Sequence, residues 1–343
     1  MQSGLRIVIL AMAGLAAQAD GQTFRIGIID FYGLNRVSRD EARAALTFAE
    51  GDTLTFSDER PAMFRSAEGR LRALHGVVSA RVNAVCCDAG RMIVYVGVQE
   101  RGASTLQLRQ PPRGMVRLPA DVVRTGEEFS KSFMAAVERG DAGEDRSQGH
   151  SLMHDPATRA IQQQFIVFAR RDFSLLREVL RDCSETAQRA LAAQVLGYAA
   201  DKQTVVADLV RAMRDPAEEV RNTAIRALMV FAETKSGPTS AAPRIPAEPF
   251  IKLLNSPVWS DRNKASLALQ ALSAARDPKL LGELRKAALQ PLVEMARWRS
   301  AGHALPAFWI LARLAGISDE AAQRFWDLGN RDAVIDAATR AGR

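Results

Sequence analysis

Three patterns of apolar spacing follow one another along the chain. Phe24 to Tyr32 (FRIGIIDFY) is a nearly unbroken apolar run ended by the turn Gly33-Leu34-Asn35, which predicts a strand. Ser38 to Phe48 then carries Ala42, Ala45 and Leu46 at helical spacing. Ser38 stands three residues before Glu41, a capping-box arrangement, and Glu50-Gly51-Asp52 ends the helix. A second helix is predicted from about Asp58 to His75, with Pro61 near its start. Met63, Phe64, Ala67, Leu71 and Leu74 share one of its faces, and Gly76 breaks it. Val78, Ala80, Val82, Ala84 and Cys86 alternate as in a strand. Asp88-Ala89-Gly90 is a hairpin turn, and Met92, Val94, Val96 and Val98 alternate again. Residues 23–101 therefore read as a small β-α-α-β-β module.

Residues 102–155 read as a linker with one helix. Gln110-Pro111-Pro112-Arg113-Gly114 is a breaker cluster, and Leu118 to Arg139 is helical with Pro119 at its start. Gly140 to Gly149 is polar and glycine-rich, which predicts a loop. From Pro156 onward the period is helical throughout, and the pattern repeats. Asp215-Pro216 through Leu228 aligns with Ser256-Pro257 through Leu269 at an offset of 41, with Pro216, Arg221, Asn222, Ala224, Ala227 and Leu228 identical to their counterparts. Arg189, Ala192, Val195 and Leu196 match Arg221, Ala224, Ala227 and Leu228 at an offset of 32. Each copy is a helix pair whose second helix carries small residues that let neighbours approach closely. Such a pair cannot bury its apolar face alone, so copies must stack. Lys235 to Pro249 (KSGPTSAAPRIPAEP) reads as an inserted loop.

Three resemblances attach to these residues. Met1 to Ala19 (MQSGLRIVILAMAGLAAQA) has one cation, Arg6, an apolar stretch from Ile7 to Ala17, and Ala17-Gln18-Ala19. It resembles a secretory signal peptide cut between Ala19 and Asp20, which implies a periplasmic or extracellular chain. The text from Ile29 to Ser38, Gly51-Asp52, Leu74 to Val82 and Ile93 to Glu100 is similar to the POTRA domain of bacterial envelope proteins. That resemblance implies protein binding, typically by strand addition to a sheet edge. The D-P-x-x-x-V-R-x-x-A-x-x-A-L text from Asp215 to Leu228 resembles the HEAT repeat. It implies an α-solenoid over residues 156–343 that is used for protein binding, with Arg189, Arg221 and Arg262 bracing neighbouring repeats together with Asp215 and Pro216 of the turn. The fold class expected is mainly α, a HEAT-like superhelix preceded by a small POTRA-like α/β module.

Composition narrows the function more than it defines it. Apolar residues make up 47% and charged residues 25% of 343, a soluble balance; the apolar stretch from Ile7 to Ala17 is too short to span a bilayer, and no other stretch of that kind is long enough. The net charge of +7 lies in the repeats: residues 20–101 carry 11 basic and 11 acidic side chains, whereas 156–343 carry 27 and 20. There is no basic run of the kind nucleic-acid arms show. Cys86, Cys87 and Cys183 lack metal-ligand spacing, and the adjacent pair, on a strand, is expected to face opposite ways rather than to bond. His150 and His154 stand four apart near Glu144, Asp145 and Asp155, and Gly149-His150-Ser151-Leu152-Met153 lacks the final glycine of a nucleophile elbow. The expected function is a non-enzymatic protein-binding scaffold of the envelope, with no cofactor and no metal. One alternative is a HEAT-like enzyme, of lyase or hydrolase type, working near His150 and His154. The other is a salt-dependent binder of anionic surfaces.

Overall fold

The computed structural model describes residues 22–56, 60–233 and 242–340. The leader-like segment and residues 235–241 of the predicted insertion lie outside them. Of the described residues, those within 107–249 make one compact unit, and those within 22–106 together with 250–340 make the other.

The α/β module opens the second of these units. Strand β1 (Gln22–Tyr32), helix α1 (Arg39–Ala44), strand β2 (Thr53–Phe56), helix α2 (Ala62–Ala73) and strands β3 (Val77–Asp88) and β4 (Arg91–Glu100) follow in order. The Ser38–Glu41 capping box starts α1 with both of its bonds in place. Strand β2 was not foreseen, since four residues after a glycine turn carry too short a pattern to stand out. The sheet order is β2-β1-β4-β3, with β1 parallel to β4 and the outer pairs antiparallel. Helices α1 and α2 cover one face, where Ile29, Phe31, Leu54, Phe64, Leu71, Val82, Val94 and Val96 form the core. Burying each large side chain there is worth roughly 1.5–3 kcal/mol.

Cys86 and Cys87 are joined by a disulfide across a cis peptide bond, which corrects the expectation that neighbouring strand residues face apart. The β3–β4 register also shifts there, between Val85 and Asp88. Cys183 is free and buried.

The other unit is helical. It contains α3 (Ala120–Glu138), a two-residue hairpin of β5 (Glu144–Asp145) and β6 (Leu152–Met153), then α4 (Pro156–Arg171), α5 (Phe173–Asp182), α6 (Thr186–Leu196), α7 (Lys202–Ala212) and α8 (Glu218–Ala232). The Gly140–Gly149 loop thus includes one strand of a short hairpin. Asp155 caps α4 through Thr158, with Pro156 at the first helical position. Helices α5 and α6 pair, α7 and α8 pair, and α6 stacks on α8. Ala192, Ala193, Ala224 and Ala227 sit buried along these second helices, where small side chains permit close stacking.

The chain then returns to the unit of the α/β module through α9 (Glu248–Leu253), α10 (Trp259–Leu272), α11 (Pro278–Ala296), α12 (Ala301–Leu314), α13 (Asp319–Asp327) and α14 (Arg331–Arg340). Helix α12 packs against α10, α11 and α14. The module's sheet turns its second face to these helices. Strand β4 is consequently buried at seven successive positions, Met92 to Val98, as a centre strand covered on both faces should be. On that face Tyr95 packs on Trp298 and Trp259 at 4.9 and 5.6 Å between centroids, and Tyr32 on Trp298 at 5.7 Å. The Tyr95 hydroxyl lies 2.8 Å from Nδ1 of His303. Tyr32 donates to the Pro257 carbonyl at 2.8 Å, and a Cβ at Gly97 would collide with that same oxygen, so the close approach requires glycine.

Candidate functional site

The repeated arginines take one recurring geometry. Nη1 of Arg189 donates to the carbonyls of Cys183 and Ser184, six and five residues before it, at 2.9 and 3.0 Å. Arg221 makes the same pair of bonds to Asp215 and Pro216 at 2.8 and 3.0 Å. Nε of Arg262 donates to the Ser256 carbonyl, again six before, at 2.7 Å. Arg189 also reaches forward to both carboxylate oxygens of Asp215 at 2.9 Å each. Arg262 reaches Glu294 of α11 at 2.8 Å and lies over the Tyr32 ring at 4.4 Å. Asp215 caps its turn by accepting from the Ala217 backbone N–H at 3.0 Å. Ser256, its counterpart, accepts from Val258 at 3.1 Å in the same manner. All three arginines are nearly inaccessible, at 1–3% exposure, so their guanidinium groups face protein rather than solvent.

A second guanidinium completes the Asp215 site. Residues 107–118 run as an extended strap over the turns of the helical unit. Arg109 lies outside any helix; its backbone N–H donates to the Arg214 carbonyl at 2.7 Å, and its side chain donates to Asp215 at 2.5 Å and to the Leu180 carbonyl at 3.1 Å. Gly114 exchanges backbone bonds with Asp182 and Ser184 at 2.7 and 2.9 Å. Burial raises the Asp215 carboxyl pKa, but Arg189, the Ala217 N–H and Arg109 outweigh it, and the carboxyl is held below its ordinary value.

The accessible counterpart of these buried pairs is a groove of about 770 Å³ in the other unit. Its walls are the β1–α1 loop, the end of β4 with the turn after it, and the middle of α11. Gly33 takes a φ of +77°, and the loop beyond it wraps its backbone N–H groups around carboxylates. Gly33 donates to Glu294 at 2.7 Å, while Asn35, Arg36 and Val37 donate to Glu100 at 2.8, 2.9 and 3.1 Å. Burial pushes the Glu100 carboxyl up, and these three N–H groups and the Arg36 charge bring it below the usual range. Gln290 of α11 donates to Asn35 across the groove. Both acids of the lining are therefore committed to internal bonds. Against them stand Arg36, Arg101 and Lys286, all exposed, and the half-buried Arg285. None of these four makes an ion pair within 4 Å to a described carboxylate.

The groove was not foreseen. Its cations come from three separated stretches of sequence, and no motif joins them. Arg262, which the repeat pattern singled out, lies in its lining but is spent on Glu294 and Ser256. The two histidines do not form a site with Glu144. His150 packs on the Tyr198 ring at 5.5 Å, and its pKa is lowered by burial and then by the Lys202 charge. His154 packs against Gly143, and Glu144 is committed to Arg146 and Arg226. Among the described residues no group of three or more His, Cys, Asp or Glu is placed to hold a metal ion.

Residues 173–245, helices α5 to α8 and beyond, match the family model for HEAT repeats. No curated protein matches the chain. Among solved structures, a computationally designed armadillo repeat protein for modular peptide recognition is similar at 18% identity and a TM-score of 0.37, covering 55% of this chain and 94% of that one. A designed armadillo repeat protein in complex with a (KR)4 peptide is similar at 18% identity and a TM-score of 0.36, over 55% of this chain and 96% of that one.

Proposed function

We propose that the chain is a non-enzymatic scaffold that holds a partner protein, exported to the bacterial cell envelope. The observation that carries the reading is the groove: a large concave surface whose two acids are engaged while Arg36, Arg101 and Lys286 stand exposed without an ion pair to a described carboxylate. The stacked helix pairs and the HEAT match support a recognition architecture, and the leader-like residues 1–19 support export. The order β1-α1-α2-β3-β4 supports a POTRA-like module, from which β2 is a departure.

Strand addition to the module is disfavoured as the mode of binding. Strand β2 occupies one edge. At the other edge, the outward backbone groups of Val82 are engaged by side chains: Glu68 of α2 accepts from its N–H at 2.7 Å, and Arg60, just ahead of α2, donates to its carbonyl. Charged side chains placed this way protect an edge from pairing. The groove is therefore the surface assigned to the partner.

Point variants test this better than removal of the module, because deleting residues 20–101 would uncover Trp298 and Trp259 in the same unit. Cross-linked capture from envelope should recover a partner with the intact chain and with the control R113E/K131E, but not with R101E/K286E. Equal capture by both variants overturns the groove as the partner surface. Sequencing the N-terminus of the chain recovered from cells should begin at Asp20. A chain that retains Met1 and fractionates with cytoplasm overturns export.

A further inference from the structure

We infer that the groove takes an extended acidic segment of a partner chain, a run of Asp or Glu side chains; this rests on the scaffold reading and specifies its chemistry. The lining holds five cations and two carboxylates, and both carboxylates are bonded internally. Arg36, Arg101 and Lys286 are exposed. The half-buried Arg285 donates to the Leu314 carbonyl and leaves its Nε without a hydrogen-bond partner. Guanidinium forks match planar carboxylates in two-pronged pairs. The volume is that of a site for several residues rather than for one ion.

Two features point to carboxylates rather than to nucleic acid or phosphate. The lining contains no Phe, Tyr, Trp or His, so no base could stack there. The backbone N–H groups of the β1–α1 loop, which would otherwise cradle a phosphate, are already bonded to Glu100 and Glu294. The loop's N–H groups are used on carboxylates within the molecule, and what the groove beside it presents outward are the side-chain cations Arg36, Arg101 and Lys286.

The test uses the full chain and fluorescein-labelled octaglutamate in an anisotropy titration. Octaglutamate should bind and octalysine should not, with affinity falling as salt rises. R101E/K286E should weaken binding at least tenfold. The control R113E/K131E, which lowers the formal charge of +7 by the same amount at exposed positions outside the groove, should change it less than twofold. Unchanged thermal melts for both variants establish that they fold. Equal weakening by both, or none by either, overturns the proposal. Stronger groove-dependent binding of phosphatidylglycerol vesicles, inorganic phosphate or single-stranded DNA overturns the acidic peptide in favour of that anion. Capture of a partner that depends on Arg101 and Lys286, without octaglutamate binding, would sink the acidic chemistry and leave the scaffold standing. Octaglutamate binding without any captured partner would do the reverse.

Discussion

Replacing Asp215 with alanine should be among the costliest single changes in the helical unit. The carboxylate has no solvent exposure and accepts from Arg189 twice, from Arg109 and from Ala217. Removing it leaves the Arg189 guanidinium, 2% exposed, with carbonyls but no counter-charge. Breaking a buried pair by deleting one partner costs about 3–5 kcal/mol, because the surviving charge stays desolvated. R109A should cost less, about 1–2 kcal/mol. Arg109 is 15% exposed, and its loss leaves Asp215 still paired to Arg189. The double variant R189M/D215L removes both charges and should be more stable than D215A alone. Urea unfolding followed by far-UV circular dichroism gives the magnitudes. Tryptophan fluorescence does not serve, since all four tryptophans lie beyond residue 250, in the other unit. Hydrogen exchange on peptides from 173–232 localises the loss. A D215A variant within 1 kcal/mol of the parent, or one matched by R109A, would refute the proposal that this carboxylate braces successive repeats.

Three further outcomes are expected. Gly114→Ala should lose roughly 1–3 kcal/mol, because its Cβ would stand 2.5 Å from the Asp182 carbonyl; the Ser184 amide should lose exchange protection, and unchanged protection would contradict the strap geometry. Trp298→Ala should cost about 3–5 kcal/mol by opening a cavity against Tyr32 and Tyr95, read from the urea midpoint, and a cost under 1 kcal/mol would mean the sheet does not depend on that packing. Burial, and then the Lys264 charge, push the His303 pKa down to about 4, so its contribution is full above its unfolded value near 6.5 and is lost as pH falls from there toward 4, by about 3 kcal/mol; His303→Gln should flatten that part of the stability–pH curve, and an unchanged slope would exclude it as the source.

The helices of the repeats were legible because each must bury one stripe against its neighbour, which forces the small-residue spacing seen from Ala192 to Ala268. The three arginines stand out for a related reason: they recur at one position of the pattern, and each donates to the carbonyl six residues before it. Strand β4 was only half legible. Met92, Val94, Val96 and Val98 announce one buried face, but Ile93, Tyr95 and Gly97 bury the other, and alternation alone could not say what covers them.

The groove was illegible for a different reason. Core residues answer to periodicity because burial acts on every turn of a helix, whereas Arg36, Arg101, Arg285 and Lys286 answer only to their meeting point. Each is an ordinary exposed or half-exposed cation on its own element. What distinguishes them is that Glu100 and Glu294, the acids that would normally neutralise such a cluster, are drawn away by the N–H groups of the β1–α1 loop and by Arg262. The left-handed turn at Gly33 starts that loop, so a backbone conformation sets the charge of the surface beside it. Releasing these acids should therefore weaken acidic binding with Arg36, Arg101, Arg285 and Lys286 unaltered. Gly33→Ala, which strains the φ of +77° and sets a Cβ against the Val98 carbonyl, should reduce octaglutamate affinity in parallel with its loss of stability. An affinity that survives the loss of the loop would show that the cations act independently of it.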